Sequence, residues 1–286
     1  MVIGVFDSGS GGLTVLEALI AAMPDRDFLY FGDHARAPYG TRSAEDVYRS
    51  TLTAVDFLLD QGCRLIVIAC NTAAAVALRR LQQTWLSARA PGARVLGVHV
   101  PLVEAITGTR WRDGAAVGPM RERPRRLAVF ATPRTVASRA FTTEIALRAP
   151  TIRVIEIACP GLADAIEANA NDETLDRLVR GFADRLRDHP DVRDGIDAAA
   201  LACTHYPFAE SAFRRALPPG TDLLLQPRLV AAALADYLAR NPDLDSPGTG
   251  RLRLLTSGDP ARLDGLLERL PASLRQFERV ALASPA

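Results

Sequence analysis

Short β-branched and apolar runs recur along the chain, each closed by a polar or glycine-rich turn and followed by apolar residues at helical spacing. The clearest is Ile66-Val67-Ile68, apolar at every position, as suits a strand buried on both faces of a parallel sheet. It runs into Ala69, Cys70, Asn71 and Thr72, and the alanine-rich stretch 73–81 reads as a helix. The same pattern predicts strands over 2–6, 27–31, 63–69, 95–98, 126–130, 152–157, 199–202, 222–225 and 252–257. Helices are predicted over 13–22, 44–61, from 101 onward, and over 136–147, 162–170, 172–188, 208–217, 229–239 and 260–270. Strands alternating with helices point to an α/β fold with mostly parallel sheets.

Halfway along, the pattern restarts. The run 126–130 (RLAVF) echoes 2–6 (VIGVF), and Ala131-Thr132-Pro133-Arg134-Thr135 replaces the turn Asp7-Ser8-Gly9-Ser10-Gly11. Later in each half a strand ends in cysteine and two polar residues: Cys70-Asn71-Thr72 in the first, Cys203-Thr204-His205 in the second. A repeat in this order suggests two related α/β halves. The expected division is a first domain of 1–98 and 208–286, with a second domain of 99–207 inserted. The tail beyond 208, lacking reactive residues, is expected to complete the first sheet. The polar, arginine-dense stretch 107–126 reads as a surface loop.

With 286 residues, 48% of them hydrophobic, the chain suits one large domain or two ordinary ones. A net charge of +1 gives no electrostatic case for a nucleic acid or a membrane surface. No run approaches the roughly 18 apolar residues of a membrane span. The chain opens on a strand without a basic-then-apolar leader, and four cysteines make no disulfide framework, so a reduced cytoplasmic protein is expected. Every cation is an arginine; with no lysine, the chain cannot form the Schiff base that holds pyridoxal phosphate. Cys63 and Cys70 lack zinc-site spacing, so Cys63 is read as a small apolar residue and no metal is expected.

The glycine-rich turn after 2–6 offers backbone N–H groups to an anion. The dinucleotide fingerprint needs glycine where Thr14 stands, and Asp7 would repel a pyrophosphate. A small carboxylate held by N–H groups, with Asp7 beside its ammonium, fits better; the plain alternative is a tight turn capped by Asp7. Pro38-Tyr39-Gly40, in a polar loop, offers a phenol and backbone amides. Free thiols ionise near pH 8.5, so only about a few per cent is thiolate at neutral pH, and a helix N-terminus or an imidazole raises that share. Cys203 has His205 two residues on, and Glu167 is a candidate to orient that imidazole. Two thiols on opposite sides of one carbon suit proton removal from one face and return to the other. At near-attack distances of about 3–3.5 Å the sulfurs would be roughly 7 Å apart, too far for a disulfide. Asn71, Thr72, Thr204 and the Ser8 turn would supply donors to the developing carbanion.

On 4–16 (GVFDSGSGGLTVL), 30–40 (YFGDHARAPYG), 68–77 (IACNTAAAVA), 131–136 (ATPRTV) and 202–208 (ACTHYPF), the chain resembles the cofactor-independent glutamate racemases of the aspartate/glutamate racemase superfamily. The resemblance implies two pseudo-symmetric α/β domains with the active site between them. It implies interconversion of L- and D-glutamate without a cofactor, supplying D-glutamate for peptidoglycan, and hence cell-wall biogenesis and cell shape. The acid–base thiols would be Cys70 and Cys203, assisted by Asp7, Glu167 and His205. Substrate contacts would fall on Asp7, Ser8, Tyr39, Gly40, Asn71, Thr72, Thr132, Thr135, Thr204 and His205. Relatives are often dimers, so the resemblance admits a homodimer without naming its surface. The chain has Ala202 where relatives have glycine, a slimmer Gly161-Leu162-Ala163-Asp164, and Gln226-Pro227 in place of an Asp-Ser pair. Other readings are a racemase of aspartate or another acid, a one-cysteine lyase or decarboxylase, and a non-catalytic binder of a small anion. Two cysteines argue against the one-thiol relatives.

Overall fold

The computed structural model describes residues 1–110, 125–193 and 195–282. Its strands are β1 (Val2–Asp7), β2 (Asp27–Gly32), β3 (Leu65–Ile68), β4 (Arg94–Gly97), β5 (Arg126–Ala131), β6 (Arg153–Ala158), β7 (Ala198–Ala202), β8 (Asp222–Leu224), β9 (Leu252–Thr256) and β10 (Glu278–Arg279). They form two all-parallel sheets, ordered β10-β9-β2-β1-β3-β4 and β6-β5-β7-β8. The central strands are buried along nearly their whole length, which is why they read as continuous apolar runs rather than alternating ones. Apolar layers cover each sheet on both faces.

The repeat read from the sequence is present in the topology. The order β2-β1-β3-β4 in one sheet is matched by β6-β5-β7-β8 in the other, so Cys70 after β3 and Cys203 after β7 occupy equivalent places.

Three expectations need correction, and one strand has no signal in the sequence. The strand at Asp222–Leu224 does not return to the first sheet; it pairs with β7, Ala198 opposite Asp222. Consecutive strands joined by a helix tend to be neighbours, and β7 is the strand before it. The second sheet's chain therefore continues past the boundary expected at 208. The helix expected over 136–147 is two helices, Pro133–Ser138 and Ala140–Arg148, separated by Arg139 at φ 55°. Ser138 Oγ donates to Thr135 O at 2.6 Å, competing with the helical ladder at the break. The helix expected over 260–270 is a short turn at Pro260–Arg262 followed by Asp264–Leu267. The edge strand β10 has no apolar run to announce it. The arginine-dense loop lies, over 111–124, outside the described residues. Among the described residues no helix is long and apolar enough to cross a membrane.

Helix Leu13–Ala22 starts directly behind the first turn and packs between β1 and helix Gln226–Ala239 through Leu13, Leu16 and Leu19, all fully buried. Leu16→Ala should lower the unfolding free energy by about 2–5 kcal/mol in urea melts, and a loss below about 1 kcal/mol would mean that this face is not packed as described.

Candidate active site

In both sheets the chain leaves the first strand of the repeat toward one side and places the third on the other. Such a switch point opens a crevice at the carboxyl ends of the two strands. In the first sheet those ends carry Asp7, Ser8 and Cys70–Thr72; in the second they carry Thr132 and Cys203–His205. Ser8, Cys70, Asn71, Thr72, Thr132, Cys203, Thr204 and His205 line one cleft of about 350 Å³, together with Tyr39, Gly40, Cys159, Asp164 and Glu167. A roomier cleft of about 860 Å³ runs along helix Asn71–Thr84, past Arg79, Gln82 and Leu234, and holds no cysteine.

Cys70 caps helix Asn71–Thr84: its sulfur accepts from Ala73 N–H at 3.5 Å and lies 3.4 Å from Ser8 Oγ. The first N–H groups of that helix have no partners within it and sit at the cleft. Burial, reinforced by the charge of Asp7, pushes the Cys70 thiol up to about 12, so it rests protonated at neutral pH. Cys203 has other company. Its sulfur is 3.8 Å from His205 Nδ1, and His205 Nε2 is 2.5 Å from Glu167 Oε2. Burial alone would push the imidazolium down, but the bonds to Cys203 and Glu167 outweigh it and hold His205 well above its ordinary range. Burial raises Glu167, yet its bonds to His205 and Ser10 bring it down to about 2. The second thiol thus faces a charged imidazolium anchored on a carboxylate.

The two halves are stitched together at this point. Asp7, fully buried, accepts from Gly9 N–H at 2.8 Å and from Thr204 Oγ1 at 3.2 Å, and Thr14 Oγ1 donates to Thr204 O at 3.0 Å. Burial raises the Asp7 pKa against the opposing charge of His205. Gly11 is needed for close approach: a Cβ there would stand 2.4 Å from His205 Nδ1. Across the cleft, the hydroxyls of Thr72, Thr132 and Thr135 form a triangle with sides of 2.9, 3.0 and 3.2 Å.

All thirteen expected site residues are at or directly behind the cleft, with their polar groups used in different ways. Thr135 is fully buried behind Thr72 and Thr132. Tyr39 lines the cleft, but its hydroxyl donates to Asp33 Oδ2 at 2.6 Å. The Asn71 carboxamide pairs with Gln226. Sequence reasoning did not single out Ser10, Gly11, Thr14, Asp33, Cys159 or Gln226 as site groups. Asp33 is a buried hub, accepting from Ser257 Oγ at 2.6 Å as well as from Tyr39. Its place within the polar loop 32–40 was the one available signal. Among the described residues no group of three or more His, Cys, Asp and Glu side chains is arranged to hold a metal ion.

The Asp/Glu/Hydantoin racemase family model matches residues 3–235. The chain belongs to that family. It is 46% identical to the glutamate racemase of Paracoccus denitrificans over 269 residues, 93% of this chain and 94% of the relative. Its fold matches the crystal structure of the Thermus thermophilus glutamate racemase in complex with β-chloro-D-alanine, with a TM-score of 0.79 and 35% identity, covering 98% of this chain and 96% of that one. The glutamate racemase of Francisella tularensis, solved in complex with D-glutamate, matches with a TM-score of 0.78 and 25% identity, over 99% and 97% of the two chains. The two equivalent sheets and the cleft between them are thus features of a family whose relatives include glutamate racemases.

The Glu167–His205 pair has a definite pH signature. Glu167 is depressed in the folded chain, so its contribution is full above its ordinary value of 4.5 and fades as pH falls toward 2. His205 is raised, so its contribution is full below 6.5 and fades as pH rises through its higher folded value. Wild type should therefore exceed Glu167→Gln in stability most clearly between about pH 4.5 and 6.5, with the gap narrowing on both sides. Urea melts across pH 3–9 measure it, and a pH-independent gap would contradict the pairing.

Proposed function

We propose that the chain is a cofactor-independent glutamate racemase that interconverts L- and D-glutamate by proton transfer at Cα between Cys70 and Cys203. On this reading it is a cytoplasmic enzyme supplying D-glutamate for peptidoglycan. The observation that carries the reading is the pair of thiols at equivalent strand ends of two matching sheets, opening on one cleft. The 46% identity to a glutamate racemase over 93% of the chain supports the choice of substrate.

The chemistry follows from the surroundings of each thiol. A thiolate on one side takes the α-proton, and the electron pair left on Cα is drawn into the α-carboxylate. The thiol on the other side then gives its proton to the opposite face. The two sulfurs exchange protonation states, the substrate is inverted, and no atom or electron is gained or lost. General acid–base catalysis supplies about 10²–10⁴-fold, so the carbanion needs further stabilisation. The N–H groups opening helix Asn71–Thr84 and the hydroxyls of Thr72, Thr132 and Thr204 would serve the substrate carboxylates. Asp7 and Ser8 would hold the ammonium, with Tyr39 and Gly40 closing the cleft and Thr135 steadying Thr72 and Thr132.

In one direction Cys203, beside the His205 cation, acts as the base and Cys70, protonated at neutral pH, as the acid. The opposite direction needs the reverse, with Asp7 close enough to Cys70 to assist. Chemistry at Cα proceeds without pyridoxal phosphate, for which the chain has no lysine.

The test is L- and D-glutamate in D₂O with purified protein and no added cofactor, following optical activity and α-deuterium together. Both signals should change from either enantiomer, and Cys70→Ala and Cys203→Ala should each abolish racemisation. Near-wild-type turnover in either variant would sink the two-thiol mechanism. Exchange with aspartate but not glutamate would move the assignment to another acid, and no exchange with any amino acid would end the racemase reading.

A further inference from the structure

Gln226 does not line the cleft, yet its side chain is committed to a residue that does. Its Nε2 donates to Asn71 Oδ1 at 2.9 Å and to Val98 O at 3.2 Å, while its Oε1 accepts from Asn71 Nδ2 at 2.6 Å. A carbonyl such as Val98 O only accepts, so the amide nitrogen of Gln226 must face it. That fixes the orientation of Gln226 and, through the reciprocal pair, that of Asn71. Both side chains are buried, with relative exposures of 1% and 2%.

The place in the chain gives this clasp its meaning. Val98 directly follows β4 and precedes helix His99–Thr107, where the chain leaves the first sheet. Gln226 opens helix Gln226–Ala239 just beyond β8, where the chain comes back from the second sheet. Both crossings therefore meet at one side chain, and that side chain grips the residue next to Cys70. The reciprocal pair takes one donor and one acceptor position of the Asn71 carboxamide and so fixes its orientation at the cleft.

We propose that Gln226 is a positioning residue for the Cys70 side of the site: it locks the Asn71 carboxamide and so holds the Cys70 turn in register with the two sheet crossings. Its kinetic consequences rest on the racemase reading; its effect on the Cys70 turn does not. Gln226→Leu removes all three bonds. Gln226→Glu keeps the size and the acceptor for Asn71 Nδ2 but loses both donors, and serves as the second variant where the first does not fold.

The experiment has two arms. In the first, iodoacetamide labelling of each folded variant is followed by peptide mapping. Cys70 should label about threefold faster or more than in wild type, with Cys203 unchanged, because a loosened turn exposes one buried thiol and not the other. In the second, kcat/KM for glutamate should fall about 10–100-fold, the scale of a small misplacement of reacting groups. The fall must be equal for L- and D-glutamate, because enantiomers have an equilibrium constant of 1. The isotope effect with α-deuterated glutamate should rise for the enantiomer that gives its proton to Cys70 and fall for the other. An Asn71→Ala/Gln226→Ala double variant should be no worse than the poorer single one. Labelling that changes equally at both thiols, wild-type labelling at Cys70, or additive losses would overturn the proposal. Racemisation absent from wild type itself would instead overturn the function reading, and the labelling arm would still decide the role of Gln226.

Discussion

Asp7 has no exposed surface, and a carboxylate in such a place is costly unless its lone pairs are filled. Much of the site follows from filling them. Gly9 N–H supplies one bond from its own turn, and Thr204 supplies another from the opposite sheet. The charge of His205, which opposes the burial cost, also comes from that sheet. Neither half can satisfy Asp7 alone, so the requirement draws the end of β1 and the Cys203 turn together. The glycines of the first turn are the steric side of the same requirement. A side chain at Gly11 would occupy the space of the imidazole, and one at Gly12 would press on Asp7 itself.

The parts legible in the sequence were those set by local pattern. Buried parallel strands produce continuous apolar runs, so the strands of the repeat were readable, as was the equivalence of the two cysteine turns. The groups missed are held by long-range geometry. Gln226 reaches Asn71 across 155 positions of chain, and Ser257 reaches Asp33 across 224. Nothing in the local spacing of either residue announces its partner. The placement of β8 was misjudged for a related reason. Its three residues are only partly buried, so the run names a strand without naming its sheet. The Gln226-Pro227 dipeptide shows the limit most plainly: as a departure from relatives it carried no message, and its meaning appeared only with the two sheet crossings around it.

The repeat is symmetric in topology and asymmetric in electrostatics. Burial and the nearby Asp7 carboxylate keep Cys70 a protonated thiol, against the opposing pull of the Ser8 hydroxyl and the Ala73 N–H. Cys203 meets a cation backed by Glu167. For a reaction that inverts one carbon, identical half-sites would gain nothing. One base and one acid must be present together, so the two thiols must hold one proton between them. The surroundings are unequal before substrate arrives: burial holds the proton on Cys70, while Cys203 faces the His205 cation. Because the equilibrium constant between enantiomers is 1, this inequality cannot favour one direction in kcat/KM. It can only decide which enantiomer finds the site ready and which must first meet it in the reversed state. On the proposed reading, that reversal falls on the Cys70 turn, the part of the cleft that Gln226 holds in place.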